Sequence, residues 1–430
     1  MKKLLSLLLC AAMIMAAFAG CNQGEKPAET TAPALEKVLK VGYARVDITP
    51  KESVPLRGLG NSEGRMSSGV LDPLYATCIA FTDENDNTVL IYHMDLCHSF
   101  NATTLALKAA VARKTGISGT QIMMTSTHNH SGPDLDLEEN PIIQRYVSSL
   151  KELVATAAEE ALADRKPANM YISSINVENM NFIRHYNMAD GTIAGDNFGN
   201  FTNNAILSHT GEADGTMQLI KFTREGDKDV VLMNWQGHPR GHGSDRNAIL
   251  SDVDQIRKGV EEKLDCEFAF FLGASGNVNN SSRIKEEMVT NDYIEHGEAL
   301  ANYAAEAAKS FQQVEIGKVQ LLEEKYAATS ISSAQVKVDV VMNVFSIGEV
   351  AFVTAPYEMF NESGMAIKAA SPFKMTFVAT CANGNNTYIP TLPTFDYGGY
   401  EVSMTKFVSG TAEKLVENYS AMLNTLYETH

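Results

Sequence analysis

No two cysteines in this chain are spaced as CxxC, no Gly-rich phosphate loop follows its first strand candidate, and no Pro/Gly/Ser-rich stretch divides its interior. The first absence removes zinc-ribbon and thioredoxin-like patterns. The second removes a Rossmann-type dinucleotide site, and the third leaves no internal boundary to mark. Cysteine itself is sparse: Cys10 and Cys21 fall at the N-terminus, while Cys78, Cys97, Cys266 and Cys381 are widely spaced in a domain large enough to need no staples. Cys78 and Cys266 border apolar strand-like runs and read as buried free thiols. Basic residues are in deficit, 35 Lys and Arg against 52 Asp and Glu for a formal charge of −17, which argues against nucleic acid or an anionic surface as partner.

What is present begins with one apolar run. Lys2 and Lys3 precede Leu4 to Ala19, a stretch too short and too early for a stable membrane span, so residues 1–20 read as a secretory signal. The order Phe18-Ala19-Gly20-Cys21 is similar to a bacterial lipobox, and implies an exported lipoprotein anchored to the cell membrane through a lipidated Cys21. Residues 21–37, rich in Pro, Ala, Thr, Glu and Lys, read as that anchor and a flexible tether. Residues 38–430 then form a single folded domain.

Twelve β-branched or apolar runs read as strands and six periodic segments as helices, interleaved. Asn140 is placed to cap a helix over Pro141 to Ala163, and Asp83-Glu84-Asn85-Asp86-Asn87 reads as the turn of a hairpin, so the sheet cannot be all parallel. A helix is predicted from Tyr357 to Ala369 and another from Val402 to Tyr427. Twelve strands exceed one ordinary sheet, so the expected class is α/β with two mixed sheets in a layered sandwich.

Several of these runs end in candidate ligands. Gln121-Ile-Met-Met-Thr-Ser126 runs into Thr127-His128-Asn129-His130-Ser131-Gly132, where strand alternation would put His128 and His130 on one side. Val230 to Trp235 runs into Gln236-Gly237-His238-Pro239, with His242 as an alternative, and Val350 to Thr354 runs into Ala355-Pro356-Tyr357-Glu358. Neutral imidazoles and a carboxylate delivered by strand ends suit zinc.

With these motifs in hand, the chain resembles the catalytic domain of the neutral, non-lysosomal ceramidases. The resemblance spans about Val41 to Tyr400. It rests on Gly42-Tyr-Ala-Arg-Val-Asp-Ile-Thr-Pro50, Thr127-His-Asn-His-Ser-Gly-Pro133, Asn234-Trp-Gln-Gly-His-Pro239 with Leu250-Ser-Asp252, Pro356-Tyr-Glu358 and Tyr388-Ile-Pro-Thr391, in the family's order. It implies a four-layer α/β/β/α sandwich, a Zn2+ cofactor on His128, His238, Glu358 and Tyr388, and substrate-contacting roles for His130, Arg184 and Tyr400. It also implies a part in sphingolipid metabolism.

Two departures bear on substrate. Where ceramidases carry a serine in a Gly-Asp-x-Ser-Pro-Asn loop, this chain has Gly276-Asn277-Val278-Asn279-Asn280. Asn279 cannot be a nucleophile, though its amide can donate to an oxyanion, so attack by metal-activated water survives and a serine-acyl route does not, unless Ser281 or Ser282 moves in. One predicted helix follows Tyr400, where ceramidases continue into an immunoglobulin-like domain. The expectation is a zinc-dependent amidohydrolase cleaving a ceramide-like N-acyl bond or an ester. Its alternatives are a carbohydrate or small-molecule deacylase on the same site and a non-catalytic surface binding lipoprotein. Oligomeric state is left open.

Overall fold

The computed structural model describes residues 38–59, 64–98, 101–197, 199, 201, 205–239, 245–287 and 292–429. The predicted signal, Cys21 and tether, and His242, lie outside the described residues.

Nine strands build the larger sheet: β1 (Leu39–Asp47), β2 (Tyr75–Thr82), β3 (Thr88–Met94), β4 (Ile122–Ser126), β5 (Lys166–Asn176), β6 (Thr216–Arg224), β7 (Val230–Trp235), β8 (Glu267–Leu272) and β9 (Gln312–Val314). Their order is β8-β7-β6-β5-β1-β2-β3-β4, with β9 added against β5. The centre is antiparallel, whereas the two ends close with parallel pairs, β3 with β4 and β7 with β8. A second sheet runs β10 (Val319–Thr329), β11 (Lys337–Ile347), β12 (Val350–Thr354) and β13 (Met375–Ala379), again with one parallel pair, β12 with β13. Both sheets are therefore mixed, as the sequence suggested, and the β2–β3 hairpin turns on Asp83, whose carboxylate accepts from the Asn85 and Asn87 amides.

Apolar alternation explains the packing. Along β2, Ile79 and Phe81 enter one buried cluster while Cys78 and Ala80 enter another, so both faces are covered and the strand reads as a continuous apolar run. The first cluster draws on both sheets: Phe81 and Phe222 meet Phe345 and Phe352, which oppose each other across β11 and β12 and stack at 4.4 Å. The second cluster receives α1 (Asn101–Thr115) and α2 (Pro141–Ala163), the latter capped by Asn140 as read and burying Ile143, Tyr146, Leu150 and Val154 at helical spacing. A further cluster seats α3 (Asp252–Leu264) and α4 (Tyr293–Ala307) on β6, β7 and β8. Another seats α5 (Asn361–Ala370) and α6 (Thr411–Glu428) on the second sheet.

Two readings need correction. The helix expected from Tyr357 begins only at Asn361, because the Glu358 amide is taken by the Thr387 carbonyl at 2.9 Å and Glu358–Met359 becomes a short strand. The C-terminal helix is broken: Tyr400–Met404 and α6 are separate, with Phe407 bridged to Ser330 and Gly410 in the left-handed region at φ 85°. Apart from these, the polar stretch from Asp190 to Gly215, which the sequence alone reads as loop, contributes Ile193–Gly195 and Ile206–His209, which pair with His185–Met188 in a small sheet. Among the described residues the cysteines, Cys78, Cys97, Cys266 and Cys381, are all buried free thiols.

Candidate metal centre

Each parallel pair ends in a loop at its carboxyl edge, and these loops converge. In open α/β sheets ligands gather outside the carboxyl ends of parallel strands, where loops diverge and backbone groups point out of the sheet. From β4 comes His128, from β7 His238, from the loop after β12 Glu358, and from the loop after β13 Tyr388.

His128 has φ 62°, so it is a left-handed turn rather than strand pleat that brings His130 back beside it. Asn129 anchors the turn by donating to the Leu250 carbonyl at 2.8 Å and accepting from the Ser131 amide at 3.0 Å. Gly58, at φ 109°, lets the chain pass against His130, where a Cβ would come within 2.4 Å of the His130 Cβ. The ring centroids of His128, His130 and His238 stand 4.6 to 5.1 Å apart, and one nitrogen from each lies within 4.8 Å of the others.

Glu358 and Tyr388 arrive as a registered pair, directly opposite in a short parallel bridge. Glu358 Oε2 lies 3.2 Å from His128 Nε2. The Arg184 guanidinium stands over the Tyr388 ring, 5.5 Å from its centroid. Arg184 is buried and donates from Nε to Glu401 at 2.7 Å; Glu401 also meets His185 Nε2 at 3.0 Å, and His185 Nδ1 meets the Tyr397 hydroxyl at 2.9 Å. Tyr400 stands half-buried with its ring 5.7 Å from that of Tyr388. The structure thus gathers His128, His130, His238, Glu358, Tyr388, Arg184 and Tyr400. Asn279 is buried in a bridge to Phe182, and its side-chain amide donates to Asp196.

The donors fit a cation. His128 Nδ1 is 3.2 Å from the Cys97 carbonyl and His238 Nδ1 is 3.2 Å from that of Ser275, contacts that fix the Nδ1–H tautomers and leave both Nε2 atoms as acceptors. A bare His128 Nε2 then faces Glu358 Oε2, an atom buried without a hydrogen-bond donor. Two such lone pairs belong on one positive ion, and 3.2 Å is close to the ~3.3 Å edge of a tetrahedron with ~2.0 Å bonds.

Without a metal, the electrostatics draw positive charge to the same place, as a proton on the His128 ring. Burial works against charge on His128, yet Glu358, then Cys97 and Cys381, hold its pKa well above the ordinary value. Burial likewise pushes Glu358 up, but the His128 ring keeps it below the usual carboxylate range. His130 goes the other way. Its Nδ1 is fully buried although part of the residue stays accessible, and burial, outweighing a Cys97 contact, lowers its pKa.

Sequence reasoning missed the neighbours. Cys97 and His98 sit just beyond β3 and beside His128, and the pattern that pointed to His128 and His238, an apolar run ending in histidine, was there to be read. Glu401, Ser275 and His185 carried no comparable signal.

Fold and site together define an α/β protein with a buried group of histidines and a carboxylate that could hold a metal ion, at the carboxyl edge of its parallel strands. In particular, the chain has the fold of neutral ceramidase: it is similar to the crystal structure of neutral ceramidase from Pseudomonas aeruginosa at TM-score 0.75 and 15% identity, covering 91% of this chain and 75% of that one. A ceramidase complexed with C2 is similar at TM-score 0.74 and 15% identity, over 91% and 76%. No family model and no curated protein matches the chain.

Proposed function

We propose that this chain is a member of the neutral ceramidase family and a metal-dependent hydrolase of an amide or ester bond, with His128, His238, Glu358 and Tyr388 as zinc ligands. The observation that carries the reading is the buried Glu358 oxygen held 3.2 Å from an imidazole nitrogen whose partner nitrogen is already satisfied. Two imidazoles with a carboxylate are a catalytic zinc set, and a bound zinc supplies Lewis acidity that polarises a carbonyl and acidifies water. His130, kept neutral by burial and partly open to the cleft, takes a proton from the attacking water and returns it to the leaving group. Arg184 and Tyr400 flank Tyr388 and stabilise negative charge on the attacked oxygen; the Asn279 amide, which donates to Asp196, would have to turn from that carboxylate to share the role. With asparagine at the family's serine position, no acyl-serine forms there.

The substrate class proposed is a ceramide-like N-acyl lipid. The alternative is deacylation of a polar small molecule or carbohydrate on the same site; the cleft of about 930 Å³ beside Tyr397 is lined by apolar residues such as Ile193, Ala366 and Val416 as well as by Asn187, Glu362 and Asp396, and does not choose between the two. Layer order α/β/β/α, a single catalytic domain, and export with anchoring through Cys21 belong to the same proposal. The first two are supported by the apolar clusters and by the described residues forming one compact unit.

Elemental analysis of the purified protein beside His238→Ala tests the centre: about one zinc per chain in the parent and none in the variant is expected. A parent that binds no metal sinks the hydrolase reading. Amides and esters of graded acyl length then separate the substrates, since a lipid site gains ~0.8 kcal/mol per buried methylene and a polar site gains none.

A further inference from the structure

We propose that Cys97, His98 and His128 form a second, thiolate-containing site for a soft divalent cation, sharing the His128 ring with the first centre. It rests on His128 being a ligand, and extends to residues that reading does not use.

The sulfur of Cys97 lies 3.5 Å from His98 Nδ1 and 3.6 Å from His128 Nδ1, and the three donor atoms are all within 4.8 Å of one another. A tetrahedral centre with bonds of ~2.3 Å to thiolate and ~2.0–2.1 Å to imidazole separates such ligands by about 3.5–3.6 Å. All three side chains are buried. One sulfur and two nitrogens select zinc, cobalt or copper over magnesium and calcium, which prefer oxygen.

The surroundings orient the set as supporting groups orient metal-binding histidines. His98 Nε2 meets Asp136 at 3.0 Å, and Arg57 holds that carboxylate at 3.0 Å, so Nε2 keeps its proton and Nδ1 faces Cys97, the nitrogen that an ion would take in place of a proton. On His128, an ion here displaces the Nδ1 proton that otherwise goes to the Cys97 carbonyl; that proton and the Cys97 thiol proton are released to solvent, and the ring joins the two centres as an imidazolate. Cys381 also comes within 3.6 Å of His128 Nδ1 but stands outside the mutual set, which makes it the control.

Loading the purified protein with cobalt(II) alone tests the proposal. About two ions per chain are expected, with a near-ultraviolet thiolate-to-cobalt charge-transfer band in addition to the visible ligand-field bands. Cys97→Ser is expected to lose the charge-transfer band and bind about half the cobalt, while Cys381→Ser keeps both. His238→Ala should weaken the first centre and leave the thiolate band. One ion per chain without that band in the parent overturns the second site, leaving a thiol hydrogen-bonded to His98, and spares the first. No cobalt at all overturns both. The parent spectrum decides the matter even where a variant fails to fold.

Discussion

At the residue scale, His130 is where chemistry and burial meet. It stands beside two proposed ligands, yet its pKa moves opposite to that of His128, so one ring favours positive charge and its neighbour stays neutral. His130→Gln is expected to lower kcat by about 10²–10⁴-fold while bound metal is unchanged, checked by steady-state kinetics beside metal analysis. A base must be unprotonated, and a lowered pKa keeps it so, so the acid limb of kcat/KM should fall below the ordinary histidine value of 6.5. Loss of metal from the variant would instead make His130 a ligand.

Among the elements, the short helix Tyr400–Met404 shows how a distant segment is fastened to the site. Glu401 on it receives Arg184 and His185, from 217 and 216 positions away. Burial pushes this carboxyl up, but Arg184, then His185, outweigh burial and hold it at about 2, against 4.5 when free. A group whose folded pKa is depressed contributes stability that is present above pH 4.5 and lost as pH falls toward 2, here about 3 kcal/mol. Thermal melts should show that loss in the parent. In Glu401→Gln the melting temperature should be lower at neutral pH and the slope between pH 4.5 and 2 flatter. Identical acid profiles would rule out the Glu401 linkage.

Across the whole molecule, the contact of the two sheets brings the loops after β12 and β13 to those after β4 and β7. Phe352 lies in that contact, stacked on Phe345 and 6.3 Å from Phe81. Phe352→Ala is expected to cost ~3–5 kcal/mol, read as a lower denaturant midpoint. An unchanged midpoint would mean that the apolar contact between sheets does not hold the fold.

The sequence by itself determined what depends on neighbours a few positions away. Alternation along β2, the Asn140 cap, the Asp83 turn and the apolar runs ending in His128 and His238 are local, because strand pleat, helix period and turn chemistry act over two to four residues. The same locality misled at Tyr357 to Glu358 and at Thr405 to Gly410, where helical spacing was present but the Glu358 and Val408 amides were claimed by the distant Thr387 and Thr329 carbonyls. Only the tertiary structure decided that Glu358 registers against Tyr388, that Arg184 meets Glu401, and that Cys97 and His98 stand against His128. Those pairings depend on which face of which sheet each loop leaves, and spacing along a chain carries no record of that.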